Sequence, residues 1–139
     1  MLDPLLAVMR TASSGLQSQS MRLKVVSENL ANMDSTGTTP GADPYRRKMV
    51  TFEQTLDEAS GAETVTVDSV IRDQKPFRTE YDPGHPAADA SGYVKRPNVE
   101  MMVEMADMRE ASRSYEANLQ MIKQARDMGA QMIDLLKGQ

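Results

Sequence analysis

Few residues of this sequence have the types and spacing that catalysis requires. The single histidine, His85, lies in the turn-forming segment 82–86 (DPGHP), where Asp82 and Asp89 are the nearest carboxylates. One histidine with scattered aspartates matches no recognised spacing of metal ligands or of an acid–base pair. The sequence also has no cysteine, no phosphate-binding glycine loop and no G-x-S-x-G pattern. We therefore expect a structural turn at His85, with no catalytic residue, metal or cofactor.

Methionine is frequent, with 12 residues in a chain of 139. Thioether sulfurs can bind copper(I), but these residues recur at helical spacing, which is typical of side chains that fill a core or an interface. The clustered residues are Met101, Met102, Met105, Met108, Met121, Met128 and Met132. We interpret them as packing residues rather than metal ligands.

A compact basic cluster, Arg46-Arg47-Lys48, follows Pro44 and Tyr45. Alternation in an extended segment places Arg46 and Lys48 on one face and Arg47 on the other. The pattern predicts an ordinary charged strand or a contact with another protein. Lys and Arg total 16 against 20 Asp and Glu, for a net charge of −4, which argues against a general nucleic-acid-binding protein.

Length and hydropathy limit the architecture further. A chain of 139 residues suits one domain. No stretch approaches the ~18–20 consecutive apolar residues that span a bilayer. The N-terminal segment has an early acidic residue and only a short apolar run, unlike a secretory signal peptide. We expect that any export uses another route.

Three segments of different composition predict an α+β fold. Segment 1–33 is predicted to be a long helix, with Asp3 as N-cap before Pro4 and a left-handed cap at Asn32. Segment 98–139 is predicted to be a second long helix with Asn98 as N-cap. We expect these helices to pack antiparallel as a coiled-coil-like hairpin around a loop- and β-rich middle segment, 34–97.

Each predicted helix carries a row of mostly apolar residues at alternating steps of three and four, the pattern of helices packed on helices. The N-terminal seam comprises Leu2, Leu5, Met9, Ala12, Leu16, Gln19, Leu23, Val26, Leu30 and Met33. The C-terminal seam comprises Met101, Met105, Met108, Ser112, Tyr115, Leu119, Ile122, Arg126, Gly129, Ile133 and Leu136. A second apolar stripe beside it comprises Met121, Ala125, Met128, Met132 and Leu135.

The middle segment contains every proline except Pro4, and short alternating runs within it predict strands at 64–71 and 77–81, with a weaker one at 50–52. Stretches 35–44 and 82–92 are predicted to be loops. The apolar residues available form only a thin core. They are Phe52, Val65, Val67, Ile71, Phe77 and Tyr81.

The predicted helices carry more apolar surface than one pair can bury. A serine-rich flank (Ser13, Ser14, Ser18, Ser20) also lacks a predicted contact within the chain, and Asn29 and Asn118 are expected to set helix register. We therefore predict assembly with copies or relatives of the chain. The predicted assembly interface comprises Leu5, Met9, Leu16, Leu23, Val26, Leu30, Met105, Met108, Tyr115, Leu119 and Ile122.

Several motifs carry a resemblance to a known family. Segment 13–37 (SSGLQSQSMRLKVVSENLANMDSTG) resembles the N-terminal signature shared by bacterial flagellar rod and hook proteins. Segments 43–54 (DPYRRKMVTFEQ) and 81–122 (YDPGHP…GYV…PNV…SRSYEAN) are similar to the proximal rod proteins of that family. Residues 57–64 carry no pattern that we recognise.

This resemblance implies a non-enzymatic structural subunit of the proximal rod in the flagellar basal body. It implies export through the flagellar type III apparatus, a periplasmic location, and terminal helices that pack as coiled coils in a torque-transmitting shaft. The implied partners are other rod proteins, further copies of the chain, and components of the membrane ring and export apparatus. It implies no nucleic acid and no small-molecule substrate.

Three other functions remain open from the sequence. The chain could be another rod or hook subunit, or a helical adaptor of the export system that binds one partner without polymerising. A small hydrolase using His85 with Asp82 or Asp89 is the third. A monomer that is well folded at both ends would favour the adaptor.

Overall fold

A computed structural model describes residues 3–138 and confirms the α+β fold with two terminal helices. Met1, Leu2 and Gln139, which belong to the predicted terminal segments, lie outside the described residues. Neither described helix has a stretch that is long and apolar enough to cross a membrane. The elements are α1 (Pro4–Ala31), β1 (Lys48–Asp57), β2 (Ala62–Arg72), β3 (Arg78–Tyr81), β4 (Tyr93–Arg96) and α2 (Met101–Lys137).

Helix α1 begins as predicted and ends with a different cap. The Asp3 side chain accepts a hydrogen bond from Leu5 N at 3.0 Å, and Pro4 occupies the first turn. Asn32 has a φ of −105°, so the predicted left-handed cap is wrong. The Asn32 side chain instead donates to the Glu28 carbonyl at 2.8 Å, which also accepts the backbone N–H of Asn32 at 3.1 Å. The helix is about 42 Å long at ~1.5 Å per residue.

Helix α2 begins after Glu100, so the prediction of Asn98 as its N-cap is wrong. The Asn98 side chain accepts a hydrogen bond from Arg47 N at 2.8 Å and donates to the Asp73 and Lys75 carbonyls, both at 3.0 Å. Because these bonds join segments of the middle region, the amide is not available to cap the helix. At about 55 Å, α2 is the longer of the two helices.

The two helices pack antiparallel, as predicted. Leu5 near the start of α1 lies against Gly129 near the end of α2, and Gly15 lies against Asn118. A side chain at position 15 would meet Asn118 at once, because a Cβ built there lies 2.6 Å from Asn118 Nδ2. Small residues therefore allow the two backbones to approach closely.

The buried row of α2 lies one residue away from part of the predicted C-terminal seam. Its members are Glu104, Ala111 and Ala125, with half-buried Asn118 between them. The predicted seam contains Met105, Ser112, Leu119 and Arg126 in place of these four residues, and for this part of α2 the predicted seam is wrong. The close contact between the helices selects small side chains, so the larger apolar residues lie beside it.

Residues 48–72 form an antiparallel hairpin that is longer than predicted. Pairing runs from Lys48 opposite Arg72 to Asp57 opposite Ala62, with a β-bulge after Thr51. The segment without a recognised pattern contains its turn, where Gly61 N donates to the Asp57 carbonyl at 2.7 Å and Gly61 adopts a φ of +66°.

A second, shorter hairpin pairs β3 with β4. Strand β3 lies within the predicted strand 77–81, whereas β4 was not predicted. Its four residues, YVKR, include two charged side chains and are too few to show an apolar alternation. Tyr81 and Tyr93, opposite each other in this hairpin, make an edge-to-face aromatic contact with ring centroids 5.3 Å apart.

The predicted core of the middle segment is wrong. Phe52, Ile71 and Tyr81 are exposed, by 40%, 43% and 65% respectively. The buried apolar residues outside α2 lie instead on α1, at the start of β2, in loop 82–92, in β4 and just before α2. They include Val25, Val26, Ala62, Ala87, Val94 and Val99. A two-stranded sheet covers little of its own surface, so burial requires the helices.

Strand β2 lies along the serine-rich flank of α1, which the sequence had left without an intrachain contact. Ser14 Oγ accepts a hydrogen bond from Val65 N at 3.1 Å, and Ser18 Oγ donates to the Val65 carbonyl at 2.8 Å. The expectation that these two serines have no contact within the chain is therefore wrong. Their hydroxyls satisfy both backbone groups of Val65 at this edge of the sheet.

Replacing Gly15 with leucine should lower the free energy of unfolding. Overpacking a close contact typically costs about 1–3 kcal/mol, and over most of that range the cost exceeds the gain of about 1 kcal/mol from removing a helical glycine. Ser13→Leu, at an exposed position of the same helix, is the control and should change stability little. Urea denaturation measures both. A Gly15→Leu variant as stable as the parent would contradict the close helix contact.

Replacing Asp57 with asparagine should weaken the acid sensitivity of the fold. Hydrogen bonds from Ser60 and then from Arg10 lower the pKa of Asp57 below its ordinary 3.8. Because the folded pKa is the lower one, this stabilisation is present above about pH 4 and is lost as pH falls through the folded value. Thermal melting between about pH 2 and pH 7 should show a shallower acid limb for Asp57→Asn. Parallel limbs would contradict the assignment.

Candidate assembly surface

A buried group of polar side chains joins both helices to the middle region. We call it the Glu104 node, and it comprises Glu104, Arg47, Asn29, Asp73 and Tyr45. The Glu104 side chain has no solvent exposure; it accepts a hydrogen bond from the Arg47 guanidinium, and another from Asn29 Nδ2 at 3.1 Å. The node therefore connects α1, α2 and the segment that enters β1.

The charged groups of the Glu104 node compensate one another. Arg47 also lies 3.4 Å from the Asp73 carboxylate. Burial lowers the pKa of Arg47, but the hydrogen bonds and charges of Glu104 and Asp73 outweigh that effect and raise the pKa overall. Burial, followed by the charge of Glu28, raises the pKa of Tyr45. The phenol therefore stays protonated and donates to Asn29 Oδ1 at 2.8 Å.

Asn29 pairs with β1 in the manner of a neighbouring strand. Its Oδ1 accepts from Lys48 N and its Nδ2 donates to the Lys48 carbonyl, both at 2.9 Å. The side chain thus links α1 to a strand as well as to α2, which the sequence did not indicate. Asn118 behaves differently, because its Nδ2 donates to the Ser114 carbonyl of its own helix at 2.9 Å.

The basic cluster makes intrachain contacts rather than forming a solvated strand. Besides the contacts of Arg47, the Arg46 guanidinium stacks 4.2 Å from the centroid of the Phe77 ring, and Lys48 Nζ lies 3.0 Å from Glu28 Oε2. Sequence reasoning missed Glu104, although an acidic residue within the apolar run MMVEM is a detectable signal for a buried charge that needs a partner.

His85 is half-buried in its turn. His85 Nδ1 accepts a hydrogen bond from Ala87 N at 3.0 Å, and Nε2 lies 3.3 Å from Thr36 Oγ1. Both ring nitrogens are therefore engaged in local contacts that hold loop 82–92 against the segment after α1. Within residues 3–138, no cluster of three or more His, Cys, Asp or Glu side chains could hold a metal ion.

The predicted interface residues differ in how far they are exposed on the pair of helices α1 and α2. Val26 is buried at 2% exposure, whereas Met105 and Leu119 are 39% and 36% exposed. The half-buried residues are Leu5, Met9, Leu16, Leu23, Leu30, Met108, Tyr115 and Ile122. Thus the small residues occupy the contact between the helices, and most of the large ones remain accessible.

Two further features enlarge this apolar surface. An open groove of about 390 Å³ between the helices is lined by Leu16, Met21 and Tyr115, with the polar side chains of Gln17, Ser20 and Lys24. Beyond the contact of Leu5 with Gly129, α2 continues for about two turns without a facing residue of α1 among those described. The large apolar residues exposed there are Met132, Ile133, Leu135 and Leu136.

Two long helices around a small β-rich middle, with large apolar side chains left accessible, define a subunit suited to assembly with other chains. Comparison with known proteins identifies the family. A family model described as "Flagella basal body rod protein" matches residues 9–38, and another described as "Flagellar basal body rod FlgEFG protein C-terminal" matches residues 90–135. The chain is 61% identical over 136 residues to a flagellar basal-body rod protein FlgC of Agrobacterium fabrum, covering 98% of each chain.

Two more distant relatives carry the same name. The FlgC of Salmonella typhimurium is 47% identical over 126 residues, with 89% of this chain and 92% of the relative covered. The FlgC of Borreliella burgdorferi is 37% identical over 152 aligned positions, with 96% and 99% covered. The chain belongs to the FlgC family of flagellar basal-body rod proteins. It is accordingly a structural subunit of the rod.

Replacing Glu104 with alanine should destabilise the protein strongly. The change leaves Arg47 buried with only Asp73 as a charged partner, and breaking a buried ion pair typically costs about 3–5 kcal/mol. Glu110→Ala, on an exposed position of the same helix, should cost less than about 1 kcal/mol. Urea denaturation compares the two. Similar losses in both variants would contradict a central role for the Glu104 node.

Proposed function

We propose that the chain assembles side by side with copies of itself and with other rod proteins through the outer surface of its helical hairpin. The proposed contacts are the predicted interface residues, above all the accessible Leu16, Tyr115 and Leu119. The location is the proximal rod in the periplasmic part of the basal body. The assembled helices would act as a stiff, torque-transmitting shaft.

The observation that carries this proposal is the exposed apolar surface of the helices. Large contiguous apolar patches are uncommon on monomeric proteins and are typical of interaction surfaces. Here the groove beside Leu16 and Tyr115 lies on one flank, and the continuation of α2 lies at one end. Such different surfaces favour heterologous contacts, which build rings or helical tubes rather than closed two-fold dimers.

The proposal includes export through the flagellar type III apparatus and a function without catalysis. A subunit whose helices are held together mainly by small residues gains much of its burial only on docking, which suits passage through a narrow channel before assembly. The engagement of both His85 ring nitrogens supports a purely structural turn. Contacts with the membrane ring and the export apparatus are part of the same proposal.

Replacing Leu119 with aspartate tests the assembly surface. Leu119 is partly exposed in the subunit, so the variant should fold, while a buried charge at a subunit interface opposes assembly. We expect export of the variant to persist, and rods and motility to be lost. Leu23→Asp should have the same effect, although Leu23 is more buried.

Gln120→Asp, which adds the same charge at the next exposed position of α2, is the matched control and should preserve motility. Swimming assays, secretion assays and electron microscopy of purified basal bodies provide the measurements. Normal rods built from the Leu119→Asp subunit would exclude Leu119 from the assembly surface.

A further inference from the structure

The outer edge of β1 has no partner strand within residues 3–138. The hairpin contains two strands only, and the far edge of β2 is bonded to α1 through Ser14 and Ser18. The backbone N–H and C=O of Lys48 both bond to Asn29, so they point away from β2. Backbone groups alternate in direction along a strand. The groups that point the same way as those of Lys48 therefore belong to Val50, Phe52, Gln54 and Leu56.

None of these outward backbone groups forms a hydrogen bond with another residue of the described chain. The Asn29 side chain already satisfies the edge at Lys48, and it occupies the position where an additional strand would begin. From Val50 onward, the edge presents the ladder of donors and acceptors that strand addition requires.

A cleft beside this edge can accept side chains. It has a volume of about 300 Å³, with Val50 and Phe52 on the β1 side and Val25 together with the Arg22–Asp107 ion pair on the helical side. Phe52 is 40% exposed and Leu56, further along β1, is 59% exposed. Residues an even number of positions apart share one face of a strand, so these apolar side chains lie on the same face. An added strand would cover them.

The charges of the hairpin determine which strand fits. Between Met49 and Ile71 the sequence has no Lys or Arg, and its acidic residues are Glu53, Asp57, Glu58, Glu63 and Asp68. Pairing β1 with β1 of a second copy would bring like charges together, which is destabilising across strands. A segment with basic residues near the hairpin turn is complementary.

We infer that the outer edge of β1 binds an extended segment of another protein by strand addition. The bound segment has apolar residues that face the cleft and Lys or Arg residues near the hairpin turn. This interaction goes beyond the proposed assembly through the helices, which does not require it. If the β1 edge binds no strand, the proposal for the helical assembly surface is not affected. If the helical surface proves not to mediate assembly, the proposal for the β1 edge is likewise not affected.

The test uses the full chain and two short synthetic peptides of alternating sequence, one of Val and Lys and one of Val and Glu. We expect the Val–Lys peptide to slow hydrogen exchange at the amides of Val50, Phe52 and Gln54, measured by NMR. The Val–Glu peptide should not. Gln54→Pro removes one outward N–H without affecting the β1–β2 ladder, and it should weaken binding about tenfold or more, whereas Gln54→Ala should not.

If Gln54→Pro loses its cooperative melting transition, a charge-reversal variant provides the same information. Glu53→Lys combined with Glu63→Lys changes exposed positions only, and it should reverse the preference between the two peptides. Several results would overturn the inference: no binding of either peptide, equal binding of both, protection at other amides only, or an edge-to-edge dimer in sedimentation analysis.

Discussion

The carboxylate of Glu104 has no contact with solvent, and the arrangement of α1, α2 and the start of β1 depends on how its charge is compensated. A buried carboxylate requires both a counter-charge and hydrogen bonds. Arg47, which precedes β1, supplies the first, and Asn29 of α1 supplies part of the second. Since these groups come from three separate parts of the chain, the node is complete only when the two helices and the middle region occupy their native positions.

From this node the two helices run antiparallel through a contact made by small residues such as Gly15 and Ala111. A contact of this kind brings the backbones close and leaves the large apolar side chains beside it. Leu16, Tyr115 and Leu119 therefore remain accessible in the single subunit. The same packing makes the outer surface of the helix pair suited to further association.

In the middle region, side chains of α1 form hydrogen bonds with both outer edges of the β1–β2 hairpin. On the β2 edge, Ser14 and Ser18 of α1 satisfy the backbone groups of Val65, and on the β1 edge Asn29 satisfies those of Lys48. Side chains of a helix thus replace the missing strands where the helix can reach. The acidic residues beyond Phe52 oppose pairing between identical hairpins. This combination leaves a defined length of backbone available to a strand of different charge.

The sequence by itself determined the two long helices, their antiparallel pairing and the first cap, because helical periodicity and the Asp3-Pro4 signal are local. It also identified the family, since those motifs are continuous in the chain. Only the tertiary structure decided which row of α2 faces α1: apolar periodicity favours Met105 and Leu119, but close packing selected Glu104 and Ala111. The structure likewise decided the role of Arg47 and the extent of β1, because both depend on partners distant in sequence.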